Sequence, residues 1–150
     1  MKQFLVRSLA VGTALFFAAC GDSGTGPENN TNNGGAGGQT RVIVADPSFG
    51  TVVQEIFNRR GCAAGSCHGT SAYAGLTLTT GNSYANLVNV AATQAGVARV
   101  IPGNATDSYL IVKVEGRQSV GDQMPLGGAA LDNIDLTNLK NWIAQGAKNN

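Results

Sequence analysis

Apolar residues recur at a helical interval early in the part of the chain that can fold. In PSFGTVVQEIFNRRG, Phe49, Val52, Val53, Ile56 and Phe57 fall at i, i+3, i+4, i+7 and i+8, one stripe of a single helix. Ser48 is placed to cap its start, Arg59 and Arg60 suit its negative C-terminal end, and Gly61 fits just past the last turn. A second clear stripe closes the chain in LDNIDLTNLKNWIAQGAKNN. Asp132 is the predicted N-cap, Asp135 lies in the first turn, Ile134, Leu139, Trp142 and Ile143 make the core face, and Gly146 ends the helix. Between these two the pattern is broken. SYANLVNV (Ser83–Val90) predicts a short helix. ATDSYLIVKVEG (Ala105–Gly116) predicts another, capped at Thr106 or Asp107, although its β-branched YLIVKV run also suits a strand.

The first 40 residues have a different character. Lys2 and Arg7 precede an apolar run, Leu9–Ala19, that ends in small residues, the layout of an export signal and short for a membrane span. FAAC (Phe17–Cys20) resembles a bacterial lipoprotein signal, with Phe17 in place of the usual Leu, and this implies cleavage after Ala19 and lipidation of Cys20. Residues Gly21–Thr40 are nearly all Gly, Asn, Thr and Ser, a composition that makes a slack tether. The expected organisation is therefore a signal over 1–19, a lipid-anchored linker over 20–40 and one domain over 41–150. Gly21 lacks the aspartate that can retain a lipoprotein at an inner membrane, which favours the outer membrane in a Gram-negative host.

Charge narrows the partners. Removing Lys2 and Arg7 from the ten basic residues leaves eight against nine acidic ones. A near-neutral domain without a basic run argues against nucleic acid. The domain over 41–150 contains two cysteines, Cys62 and Cys67, one histidine, His68, and one methionine, Met124.

The chemistry concentrates in GCAAGSCHG, Gly61–Gly69. Covalent haem attachment uses two thiols that bond to the porphyrin vinyls and a histidine directly after the second thiol, usually as C-x-x-C-H. Four residues separate Cys62 from Cys67 here, but Ala63, Ala64, Gly65 and Ser66 are all small and can bulge away from a porphyrin. Structural zinc wants four N or S ligands and an iron–sulfur cluster typically four cysteines, more than this domain offers. A Cys62–Cys67 disulfide remains a competing reading, since an exported protein meets oxidising conditions. Met124 lies in VGDQMPLGG, a polar, glycine-rich loop stiffened by Pro125, where a thioether can be presented to iron. The alanine- and glycine-rich middle of the domain offers few large core residues, and a planar cofactor would supply the missing apolar volume.

Taken in order, IFNRRGC…CHG (Ile56–Gly69), GLTL (Gly75–Leu78), RVIPGNATDSYLIVKVEG (Arg99–Gly116), MPLGGAAL (Met124–Leu131) and NWIAQGA (Asn141–Ala147) resemble the class I c-type cytochromes, and more closely the small cytochrome domains related to those of planctomycetes. The resemblance implies an all-α fold whose first and last helices pack together while long loops wrap one haem. It implies covalent haem c on Cys62 and Cys67, with His68 and Met124 as axial ligands of the iron. The four-residue spacing departs from the usual motif. IPGN (Ile101–Asn104) resembles a recurring loop of the family. Arg99 is expected as a solvated surface arginine, with contact to a haem propionate as the alternative.

Two protein ligands on the iron leave no open position, so the expected function is single-electron transfer between redox partner proteins at a membrane, without catalysis. Two other readings stand beside it. A labile Met124 would open the iron to peroxide or a gas, giving an enzyme or sensor. A haem-free domain closed by a disulfide would be structural.

Overall fold

A computed structural model describes residues 40–150. The signal, the lipidation site at Cys20 and nearly all of the linker lie outside the described residues. The fold is helical. Its first helix opens with a wide π-type turn, Phe49–Val53, and continues as α1, Gln54–Arg59. Three more helices follow: α2 (Ser83–Leu87), α3 (Tyr109–Glu115) and α4 (Asn133–Ala144). A 3₁₀ turn, Tyr73–Gly75, interrupts the long connection after α1. Among the described residues the β-pairing is confined to isolated bridges, such as Val88 with Val100 and Ala91 with Ala98, and there is no sheet.

The helix ends follow their local chemistry. Ser48 Oγ accepts from Thr51 N–H at the first turn, and Asp132 accepts from Asp135 N–H at the start of α4 (3.0 Å). Gly61 (φ 72°) and Gly116 (φ 75°) end α1 and α3 in the left-handed region. YLIVKV is helical, as the cap argument predicts, but its cap shifts to Ser108. The cause is the preceding turn, where Asn104 and Asp107 are bonded to each other and Ser108 Oγ donates to the Asn104 carbonyl (2.7 Å). This gives the IPGN loop a mechanical role. Its Gly103 N–H donates to Ile143 O (2.7 Å), tying the approach to α3 onto α4.

The core is built from the opening turn, α1 and α4. Val53, Ile56 and Phe57 are buried with Leu139, Trp142 and Ile143, backed by Leu78, Leu87, Val100 and Ile111. Phe49 packs on Trp142 and edge-on to Tyr84, with ring centroids 5.2 Å apart in each pair. Ile134, expected on the core face of α4, is only half-buried, while Asp135 and Asn138 are buried there instead. Both are bonded. Asn138 joins the entering chain through Val44 N–H (2.8 Å) and Val42 O (2.9 Å). Asp135 accepts from Arg41 and Arg59.

Candidate functional site

The cysteine loop grows directly out of the end of α1. Once Gly61 has turned the chain, Cys62 N–H and Ala63 N–H both reach the Phe57 carbonyl, at 2.9 and 3.3 Å. The inserted residues then fold on themselves. Cys67 and Gly69 donate to Ala64 O (2.9 Å each), and His68 N–H donates to Cys62 O (3.1 Å). The four-residue insertion is thus an ordered bulge with Ala64, Gly65 and Ser66 facing solvent. Gly69 is required by space. A Cβ there would stand 2.6 Å from the carbonyl oxygens of both Ala63 and Ala64.

Both cysteines are free thiols, and their surroundings differ. Cys62 packs against the core, and burial pushes its thiol up to about 11. Cys67 is exposed on the outer limb of the loop. His68, next along, is half-buried. Its Nδ1 lies 3.1 Å from the Tyr73 carbonyl, which only accepts, so Nδ1 carries the proton and Nε2 keeps its lone pair. Burial lowers the pKa of His68, the positive charges of Arg99 and Lys113 push the same way, and the carbonyls of Leu76 and Tyr73 oppose them. The imidazole is therefore held neutral near pH 7, the form that binds a metal.

Arg99 corrects an expectation. It is only 7% exposed, and its guanidinium donates to the carbonyls of Asn86 (2.8 Å), Ala74 (3.2 Å) and Gly75 (3.1 Å). It is a buried clasp between the connection after α1 and α2, rather than a solvated side chain. Fork-shaped donors suit a bend whose carbonyls point together, and burial lowers its pKa.

Met124 is half-buried on a separate loop. Its N–H donates to Lys113 O (3.0 Å), and the neighbouring Gln123 amide donates to Val114 O (2.9 Å), so α3 sets its position. The loop encloses a shallow cavity of about 250 Å³, lined by Asp122–Gly128 and Ala130 and by none of Cys62, Cys67 or His68. Among the described residues no hydrogen bond joins the Met124 loop to the Cys62–Leu78 loop. The structure thus brings Cys62, Cys67 and His68 together on one loop and stands Met124 on another. No group of three His, Cys, Asp or Glu side chains converges among the described residues as it would around a bare metal ion.

The donor set suits a haem better than a bare ion. Two thiols and one imidazole on a single loop could attach to a broad group at three points. Large apolar side chains also stand exposed on the loops: Tyr73, Val97, Val120 and Leu126. Sequence reasoning missed the buried Arg99 clasp and the charge cluster around Asp135, where Arg59 and Arg60 meet α4. The only advance signal for the cluster was the paired arginine ahead of Gly61. Comparison of the chain with family models, with curated proteins and with solved structures finds no match.

Proposed function

We propose that the chain is an exported, lipid-anchored c-type cytochrome that passes single electrons between redox partner proteins. The observation that carries this is His68. Its Nδ1 lies 3.1 Å from Tyr73 O, an arrangement that favours a proton on Nδ1 and a lone pair on Nε2, and it directly follows a free, exposed thiol on an ordered loop. Haem, when bound, supplies a one-electron iron couple. The chain's residues do the rest. Cys62 and Cys67 would hold the group through their sulfurs, His68 would bind it through its imidazole, and Met124 would supply a second ligand through its thioether. The carbonyl of Tyr73 keeps the imidazole oriented and more electron-donating. The uncovered apolar loop residues would exclude water from the cofactor face. On this reading the domain has the class I cytochrome fold, and the signal, linker and Cys20 lipid hold it at a membrane. A multi-chain lipid anchor would hold it firmly, at ~0.8 kcal/mol per buried CH₂.

A second reading has one supporting observation. The Met124 loop is held separately from the His68 loop, so a ligand that leaves would open the iron to CO, NO or peroxide. The deciding experiment is a reduced-minus-oxidised visible spectrum of the full chain, produced in a host with haem-attachment machinery. Electron transfer predicts a sharp α-band that survives denaturation, a far-red band in the ferric form that Met124→Ala removes, and a ferrous form slow to bind CO. Rapid CO binding at neutral pH moves the assignment to a sensor or enzyme. A colourless protein two protons light in mass means a Cys62–Cys67 disulfide, and the cytochrome reading falls.

A further inference from the structure

The loop that carries Met124 is held at both ends, by different elements. Upstream, α3 holds it through Lys113 O and Val114 O. Downstream, the consecutive carbonyls of Ala129 and Ala130 both accept from Arg60 Nη2, at 2.6 and 2.8 Å. Between these pins Leu126, Gly127 and Gly128 are exposed, and Gly128 N–H bonds only within the loop, to Pro125 O (3.1 Å).

Arg60 is itself held. It occupies the C-cap of α1, and its Nε lies 3.8 Å from Asp135 Oδ2 on α4. Asp135 is 1% exposed and already anchored by Arg59 (2.6 Å) and Arg41 (2.9 Å). Arg60 Nε and Asp135 Oδ2 are both buried and neither has a hydrogen-bond partner among the described residues, so at 3.8 Å their mutual attraction is ionic and is what offsets their burial. The result is a charged post in the wall between the two main helices, from which one guanidinium nitrogen, Arg60 Nη2, reaches the Met124 loop. Two residues beyond Arg60 the same chain supplies Cys62.

We infer that Arg60 is a positioning residue for Met124, coupling the thiol-bearing end of α1 to the loop that presents the second axial ligand. The inference rests on reading Met124 as that ligand. Arg60 touches neither the thioether nor the imidazole. It acts by limiting how far the loop can swing, and therefore how readily an outside ligand takes Met124's place. A lysine at this position has a single nitrogen, so it cannot keep one nitrogen beside Asp135 while a second holds the two carbonyls, as Arg60 does with Nε and Nη2.

The test compares the full-length holoprotein with Arg60→Ala, Arg60→Lys and Met124→Ala by CO binding to the ferrous form and by amide exchange. Losing a charge-assisted pin predicts roughly a 10-fold gain in CO affinity and exchange about 10-fold faster over residues 121–131, with exchange in 62–78 unchanged. Arg60→Lys should fall between wild type and Arg60→Ala. Wild-type CO affinity and loop exchange in Arg60→Ala overturn the inference, as does an acceleration spread equally through α4. If Arg60→Ala does not accumulate, Arg60→Lys decides, and wild-type behaviour there overturns it. A Met124→Ala protein with unaltered spectrum and CO binding instead overturns the ligand reading itself, and this inference falls with it.

Discussion

The two halves of the domain are held together differently. In the helical half, side chains do the work: Trp142, Phe57, Ile56, Leu139, Ile143 and Val53 are fully buried against one another between the opening helix and α4. In the loop half, backbone bonds and arginine forks do it. Phe57 O gathers two amides, Ala64 O two more, and Arg99 and Arg60 draw neighbouring carbonyls together. Several large apolar side chains there, Tyr73, Val97, Val120 and Leu126, remain uncovered, while Leu78 and Val100 reach the core. A domain stable through one half can leave the other free to surround something. Of the residues proposed to bind, Cys67, His68 and Met124 lie on the loop side while Cys62 packs against the core, so the boundary runs through their motif, between Cys62 and Cys67.

The largest effect that would test this division comes from truncating each half in turn. Trp142 is 1% exposed, stacks with Phe49 and donates through Nε1 to Lys148 O (2.9 Å). Trp142→Ala should cost about 3–5 kcal/mol in urea unfolding of the full chain, since it leaves a cavity and an orphaned carbonyl. Leu126, a large apolar residue of the other half, is 68% exposed. Leu126→Ala should stay within about 0.5 kcal/mol of wild type in haem-free protein. Comparable losses at the two positions would erase the distinction.

The helical half was readable from the chain because its rule is periodic. A stripe at i, i+3, i+4 names Val53, Ile56 and Phe57 without knowledge of partners, and Leu139, Trp142 and Ile143 likewise. Capping residues placed the ends within a turn. The loop half follows no period. Nothing local marks Arg99 as buried, because its burial depends on three carbonyls from residues 13 to 25 positions away. Asp135 reads as an ordinary first-turn acid until Arg41, some 94 positions earlier, is folded onto it. The cysteines, histidine and methionine stood out by residue type and order. What order could not supply was the separation of the Met124 loop from the His68 loop.

The boundary inside the motif can be sharpened chemically. Burial pushes the Cys62 thiol up to about 11, against 9.0 for an ordinary thiol. At pH 8 its thiolate should be about 100-fold scarcer than that of a free cysteine, and thiolate is what alkylates. Iodoacetamide should therefore modify the exposed Cys67 first in haem-free reduced protein. Cys62 should lag, and the gap should close, by up to tenfold per pH unit, only as the pH rises from about 9, where an ordinary thiol is ionised, toward 11. Peptide mapping of the product reads this directly. Equal rates at pH 8 would place Cys62 on the open side of the boundary.

The smallest effect separates two glycines four positions apart in the same loop. At Gly65 a Cβ would meet Thr70 Oγ1 at 3.5 Å, an ordinary contact, whereas at Gly69 it would meet two carbonyl oxygens at 2.6 Å. Neither has the positive φ that would make any side chain strained. The difference is therefore one of space alone. Gly65→Ala should change stability by no more than about 0.5 kcal/mol, because the bulge faces solvent. Gly69→Ala should cost about 1–3 kcal/mol, the usual penalty for forcing a methyl into a filled place. The strain should appear locally, as faster exchange of the Cys67 and Gly69 amides, both of which bond to Ala64 O. Those amides flank His68, so displacing them also moves the imidazole from Tyr73 O. If the two variants behave alike, the loop is soft and the backbone bonds do not define it. If only Gly69→Ala yields, a half without a side-chain core still contains a point as tightly filled as the core itself, one residue after the histidine.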